Sequence, residues 1–124
     1  MDTELFVERI RESVRNSTVK EIENELLKSP DRHTPKGLVA LHNWYLTLPA
    51  EDRPHVRNLV EHAIHSVTFH FLAVLDGVKT LEGEGEKGDF ELYFVKHGKS
   101  VRINDPDKEF LHDLFNQEMP EALK

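Results

Sequence analysis

The chain contains no cysteine. Disulfide bridges, thiolate nucleophiles and thiolate metal ligands are therefore excluded, and a cytoplasmic location is the simplest fit. No apolar run approaches the roughly 20 residues that a membrane-spanning helix requires. The first residues, MDTELFVERIRES, are charged throughout and have no apolar core of a secretion signal. These absences together predict a soluble cytoplasmic protein without a membrane partner.

Basic side chains are in the minority. The chain has 16 Lys and Arg against 23 Asp and Glu, which gives a formal net charge of −7. Electrostatic binding of nucleic acid needs a basic surface, so we expect no nucleic-acid partner. The acidic balance would suit a basic protein partner, although solubility alone also accounts for it.

A chain of 124 residues is long enough for one ordinary hydrophobic core, so the sequence predicts a single domain over residues 1–124. The hydrophobic periodicity predicts an α+β fold that is mostly α. We expect a helical bundle around a central buried helix, followed by a C-terminal β-hairpin and a final helix.

The central helix is predicted over residues 52–78. Asp52 is the expected N-cap, Pro54 lies where a first turn tolerates it, and Gly77 can adopt the left-handed conformation that ends a helix. Helical spacing predicts a core-facing stripe of Val56, Val60, Ala63, Ile64, Val67, Phe71 and Val74. The opposite side also becomes apolar at Phe69 and Leu72, so we expect the C-terminal half to be buried on all sides.

The N-terminal third is predicted to hold two helices, at 3–15 and 19–28. Thr3 can cap the first, and Thr18 with Glu21 can form a capping box that opens the second. One bent helix over the same residues is the alternative.

A third helix is predicted from Lys36 to about Leu48. The loop before it ends in Thr34 and Pro35, which suit the N-cap and first helical positions. The residues expected to face the core are Leu38, Leu41, Tyr45 and Leu48.

Residues 90–96 alternate as a strand, with Phe90, Leu92 and Phe94 on the inward face. His97 and Gly98 can form a two-residue hairpin turn into a second strand over 100–104. A two-stranded hairpin is not stable alone, so it must lie against helices or be completed by another strand. If another chain completed it, the hairpin edge would be a site for homodimerisation or partner addition.

The last helix is expected to begin at Asp105 as N-cap and Pro106 as first helical residue, and to end near Gln117. Its predicted apolar face consists of Phe110, Leu111, Leu114 and Phe115.

The histidines suggest a metal site only weakly. His62 and His65 are three residues apart on the predicted polar face of the central helix, but a third ligand would have to come from elsewhere. We therefore favour exposed histidines and keep a metal-binding protein or metal-dependent enzyme using these two as an alternative. His70 falls within the apolar stripe and is expected in the core.

The segment 79–89 is predicted to be an acidic, mobile loop. Its carboxylates at alternating positions lack the pattern of a calcium loop, and its GxGxxG match does not lie between a strand and a helix. The chain also lacks GxSxG and any assembled serine–histidine–acid set. No cofactor and no catalytic residue are therefore predicted.

Three segments, FHFLAVLDGV, FELYFVKHGKSVRINDP and LHDLFNQ, resemble a pattern found in small bacterial proteins of an uncharacterised family. The resemblance extends from Leu41 to Gln117. It implies a bacterial, helix-rich α+β domain and carries over no catalytic residue. By analogy, small acidic bacterial proteins of one domain include immunity proteins that neutralise toxins.

Our interpretation is a non-enzymatic protein-binding module, with an immunity-type role as one concrete form of it. The partner would be another protein or a second copy of the chain. The side chains predicted to form the contact surface are Glu82, Glu84, Glu86 and Tyr93.

Overall fold

The computed structural model describes residues 1–124 and confirms an α+β fold that is mostly α. The helices are α1 (Thr3–Ile10), α2 (Ser17–Leu27), α3 (Lys36–Thr47), α4 (Arg53–Leu75) and α5 (Leu111–Asn116), and the strands are β1 (Tyr93–Lys96) and β2 (Lys99–Arg102). Helix α2 packs against α3 and α4, while α5 packs against α1 and α4. None of the helices combines the length and apolar composition needed to cross a membrane.

The N-terminal third is one continuous helical run, because a π-helical segment at Arg11–Asn16 joins α1 to α2. The predicted capping box at Thr18 and Glu21 is wrong, since the chain does not leave the helix there. Thr3 is not the first cap either. Asp2 accepts a hydrogen bond from the Leu5 amide at 2.8 Å, and the buried Thr3 hydroxyl instead donates to the Ile103 carbonyl at 2.8 Å.

The π-helical segment places two arginines against the C-terminal end of α5. Arg11 donates to the carbonyls of Leu114 and Phe115, and Arg15 donates to the Glu118 carbonyl at 2.6 Å. The last carbonyls of a helix have no partner within it, so the Arg11 guanidinium satisfies two carbonyls of α5, and Arg15 binds the chain two residues beyond the helix. The first and last parts of the chain are thereby tied together.

Helix α3 begins at Lys36 as predicted, but Thr34 is not its N-cap. The Thr34 hydroxyl instead accepts from the Asp31 amide at 3.0 Å and closes the preceding turn. The buried residues of α3 are His42 and Tyr45, whereas Leu38 and Leu41 are 39% and 48% exposed. The predicted inward face is therefore right for Tyr45 and wrong for these two leucines.

Helix α4 begins directly after Asp52 and ends where the sequence predicts, but the Asp52 side chain makes no capping hydrogen bond. The amides of Gly77 and Val78 donate to the carbonyls of Val74 and Ala73, each at 3.1 Å. This pair of bonds is the Schellman motif, and Gly77 has the positive φ of 77° that the motif requires.

The predicted buried face of α4 is wrong for Ala63, Val67 and Phe71, whereas its other members, Val56, Val60, Ile64 and Val74, are partly buried. Val67 and Phe71 are 69% and 62% exposed, and the buried residues are instead His65, Leu72 and Ala73. The prediction of complete burial for the C-terminal half of α4 therefore fails as well. Polar His65 can face inward because the π-helical segment and α5 supply its hydrogen-bond partners, Arg15 and Asn116. Hydropathy along one helix does not reveal such partners.

The hydrophobic core lies on one side of α4, between α1, α5 and the hairpin. Its fully buried members are Val7, Leu72, Ile103, Leu111, Leu114 and Phe115. Leu92 and Phe94 of the hairpin pack against this cluster, as does Phe69 of α4.

The hairpin lies against the helices, which is one of the two arrangements that the sequence allows. Phe94 pairs with Val101, and the turn is formed by His97 and Gly98, both with positive φ, as predicted. Leu92 and Phe94 face the core as expected, whereas Phe90 is 53% exposed.

Helix α5 starts at Leu111, later than predicted, and Asp105 does not cap it. The Asp105 carboxylate closes a turn by accepting from the Asp107 amide at 2.9 Å. Asp76 takes over the cap, since its two oxygens accept from the amides of Leu111 and His112 at 3.0 and 2.9 Å. The predicted core residues Leu111, Leu114 and Phe115 are buried, and Phe110 is 38% exposed.

Candidate functional site

The solvent-facing side of α4 carries a row of apolar residues at every fourth position, Leu59, Ala63, Val67 and Phe71, which we call the α4 ladder. Residues four apart are neighbours on a helix surface, so the row is continuous. Leu59, Val67 and Phe71 are 67%, 69% and 62% exposed. No element of the fold covers this row.

The stretch of chain that carries the α4 ladder exposes no formal charge of its own. Between Arg57 and Lys79 the only charged residues are Glu61 and Asp76, whose side chains are 12% and 2% exposed. Charged residues make up 31% of the chain, so an uncharged helix face of this length departs from its general composition.

The neighbourhood of the α4 ladder is polar on one flank and apolar at one end. His55, His62 and His70 are exposed on α4 beside the row. Beyond the C-terminal end, Val78 and Leu81 are 59% and 70% exposed. A central apolar strip with an uncharged polar rim has the composition of a protein interface.

The opposite side of α4 holds a buried polar cluster around His65. The imidazole is 4% exposed and stacks on Phe115, with ring centroids 4.5 Å apart. Its Nδ1 accepts from Arg15 Nη1 at 3.2 Å, and its Nε2 lies 2.8 Å from Asn116 Oδ1. Because Arg15 can only donate, Nδ1 must be unprotonated, and His65 is neutral with its proton on Nε2.

Burial lowers the pKa of His65 below its usual value. The nearby Arg15 guanidinium lowers the pKa further, and the hydrogen bond to Asn116 opposes the shift in part. A second proton would also have to occupy Nδ1, which faces an arginine N–H. The folded protein therefore favours neutral His65.

Acidification is expected to destabilise the fold through His65. In the unfolded chain the pKa of His65 is about 6.5, and in the folded protein it is lower. At a pH between these two values, His65 binds a proton in the unfolded chain but not in the folded protein. The free energy of unfolding therefore falls as pH drops through that window. His65→Gln cannot take up a proton, so urea unfolding at several pH values should show a smaller loss in this variant. Equal losses in both proteins would contradict the assignment.

Asp76 and His112 form a carboxylate–imidazole pair with 2.6 Å between Oδ2 and Nδ1. The same carboxylate caps α5, so its oxygens are already occupied by two backbone amides and the imidazole. A pocket of about 420 Å³ lies beside Asp76 and Asn104. The Asn104 side chain is bonded to the backbone of Leu75, Phe90 and Leu92. The side chains of Asp76, His112 and Asn104 are therefore engaged in holding the fold.

The histidines predicted as metal candidates face different surroundings. His62 is exposed, whereas both ring nitrogens of His65 are engaged within the protein. No group of three or more histidine, aspartate or glutamate side chains is placed to share a metal ion. His70, predicted to lie in the core, is exposed, because α4 turns the stripe containing it toward solvent.

The predicted contact residues of the acidic loop and hairpin are all exposed. Glu82 accepts from the Gly88 amide at 2.7 Å, which closes the loop on itself, and Tyr93 lies at the start of β1. The role of Glu82, Glu84, Glu86 and Tyr93 in partner binding stays a prediction.

Sequence reasoning assigned most of the α4 ladder to the core and did not include Leu59. The signal that could have identified it was the lack of exposed charge combined with the regular four-residue spacing. Comparison of the chain with protein-family models, curated proteins and solved structures finds no match.

Proposed function

We propose that this protein is a non-enzymatic protein-binding module whose binding surface is the α4 ladder, and that its partner is a second copy of the chain. The observation that carries the proposal is the uncovered, uncharged apolar row on the longest helix of the fold. Single exposed apolar residues are normal on a protein surface, but a contiguous apolar strip is typical of an interaction site.

The spacing of the α4 ladder suits pairing with itself. Its four positions are evenly spaced, so two antiparallel copies centred between Ala63 and Val67 place each member opposite another member. Leu59 of one copy then meets Phe71 of the other, and Ala63 meets Val67. This is an isologous contact with two-fold symmetry, the commonest arrangement in homodimers. The small Ala63 side chain permits close approach near the axis.

Charge also favours a second copy at this surface. Two chains of net charge −7 repel each other, so a contact between them is least costly where no formal charge is exposed. The α4 ladder is such a surface. A basic partner would instead be drawn to the carboxylates elsewhere on the protein.

The size of the surface limits the expected affinity. The ladder runs 12 residues along α4 from Leu59 to Phe71, so it presents a strip about 18 Å long and about 10 Å wide, or about 180 Å². Standard stable interfaces bury about 800 Å² per partner. We therefore expect a reversible dimer with a dissociation constant in the micromolar range or weaker. Because the contact is apolar, added salt should not dissociate it.

Sedimentation equilibrium over a range of concentrations tests the proposal. The wild-type protein should show a monomer–dimer equilibrium, and Val67→Glu should be monomeric because each dimer would bury two carboxylates near its axis. Val67 is 69% exposed, so the substitution should not unfold the monomer. The matched control is Val95→Glu on the hairpin, where Val95 is 63% exposed.

If Val95→Glu dissociates the dimer and Val67→Glu does not, the interface lies on the hairpin and not on the α4 ladder. A wild-type protein that stays monomeric at millimolar concentration would overturn the proposed partner. A different protein that binds wild type but not Val67→Glu would then identify the ladder as a surface for another chain.

A further inference from the structure

Arg15 is a buried cation without a carboxylate partner. Arg15 is 3% exposed, and its guanidinium hydrogen-bonds only to uncharged groups. Nε donates to Asn16 Oδ1 at 3.1 Å, and Nη1 donates to the Glu118 carbonyl and His65 Nδ1. Nη2 makes no intramolecular hydrogen bond. Buried charges are normally paired, so this arrangement calls for an explanation.

The electrostatic surroundings confirm that Arg15 is only partly compensated. Burial is the main cause that lowers its pKa, and the like charge of Arg11 lowers the pKa further. The carboxylates of Glu118 and Glu61 oppose the shift, but neither forms an ion pair with Arg15. The charge of Arg15 is therefore compensated only in part, by carboxylates that do not form an ion pair with it.

A pocket of about 350 Å³ adjoins this guanidinium. Three cations, Arg15, Lys20 and Arg57, and two carboxylates, Glu23 and Glu61, line the pocket, so its wall carries one net positive charge. Arg57 is already neutralised, since its Nε lies 3.1 Å from Glu23 and 3.3 Å from Glu61. Lys20 forms no ion pair, so the two cations left without a partner in the pocket wall are Arg15 and Lys20.

The backbone of the pocket wall is unusual as well. Arg15 and Asn16 belong to the π-helical segment, and π-helical turns inside α-helices occur frequently at functional sites. The bonds to the Glu118 carbonyl and to His65 explain why one amino group of Arg15 is used. It does not explain why the guanidinium faces a polar pocket with an unpaired lysine.

We propose that this pocket binds a small oxyanion, a phosphate or carboxylate group, through Arg15 and Lys20. Nη2 of Arg15 and the Lys20 ammonium supply donors, and the planar guanidinium is suited to either group. The site lies on a different part of the molecule from the α4 ladder and does not depend on dimerisation.

A titration followed by ¹H–¹⁵N correlation spectra at constant ionic strength tests the site. Inorganic phosphate and succinate are the two probes, and they distinguish a phosphate site from a carboxylate site by their relative affinity. Saturable shifts of the residue 15–20 amides and of the Arg15 Nε–H signal are expected. Lys20→Glu should weaken binding at least about tenfold, because it replaces an attractive charge with a repulsive one.

The matched control is Lys28→Glu, an exposed lysine at the end of the same helix and outside the pocket. It makes the same change in net charge and should bind phosphate like wild type. Arg15→Ala would remove the α5 contacts as well and can unfold the protein, so Lys20 carries the test. Shifts that stay linear up to tens of millimolar, or an equal loss in both lysine variants, would overturn the proposal.

Discussion

Asp76→Ala is expected to lower the free energy of unfolding by about 3–5 kcal/mol, because three donors lose their acceptor and each buried group left without a partner costs about 1–3 kcal/mol. The Asp76 carboxylate is 2% exposed, lies 2.6 Å from His112 and caps both backbone amides at the start of α5. Without it, those two amides and the imidazole lose their acceptor inside the protein. Urea unfolding followed by circular dichroism measures the change.

Asp113→Ala is the matched control for Asp76→Ala. Asp113 lies 3.4 Å from the other ring nitrogen of the same histidine, but its side chain is 58% exposed. An exposed ion pair contributes about 0–1 kcal/mol, so the control should unfold nearly as wild type does. Equal effects of the two substitutions would show that the cap and burial at Asp76 do not matter.

Asn104→Ala is expected to destabilise the protein by about 3 kcal/mol, since each buried group left without a partner costs about 1–3 kcal/mol. The Asn104 side chain donates to the carbonyls of Leu75 and Phe90 and accepts from the Leu92 amide, at 2.6, 2.8 and 2.8 Å. It therefore links the end of α4 to both sides of the hairpin. Water from the adjoining pocket can replace some of these bonds, which limits the loss.

The control for Asn104→Ala is Asn43→Ala on α3, where the asparagine is exposed and makes no side-chain hydrogen bond. Its free energy of unfolding should stay within about 0.5 kcal/mol of wild type. Thermal unfolding of the two variants, run side by side, gives the comparison. An unchanged midpoint for Asn104→Ala would mean that the three bonds are not needed to hold the hairpin on the helices.

Features set by local chemistry were predicted well from the sequence. The start of α4 after Asp52, its end at Gly77 and the hairpin turn at His97 and Gly98 all follow from a few neighbouring residues. The helix end and the hairpin turn both depend on residues that can adopt a positive φ, which the residue types at those positions indicate. The same reasoning failed at Asp105, because the cap of α5 comes from Asp76, which lies 35 residues before Leu111 in the chain.

The orientation of α4 could not be predicted in this way. Both sides of the helix carry apolar residues, so its hydrophobic pattern does not decide which side is buried. The decision comes from partners far along the chain: Arg15 and Asn116 satisfy His65, and Asp76 binds α5. Once that polar side faces the core, the α4 ladder is left outside.

The candidate sites depend on the same distant contacts. The α4 ladder is a surface only because α4 has this orientation. The unpaired state of Arg15 is visible only when the carboxylates around it are located in space. Neither the predicted metal candidates nor the acidic loop shares this dependence, since both were inferred from spacing within a short segment.

The most direct test of self-association through α4 is a pair of distances between spin labels in the dimer. The chain has no cysteine, so His55→Cys and His62→Cys each give one label per copy, beside the ladder and not within it. Antiparallel pairing centred between Ala63 and Val67 predicts backbone separations of about 31 Å for position 55 and about 13 Å for position 62. Short separations at both positions, or no coupling between copies at concentrations that should form the dimer, would contradict the account.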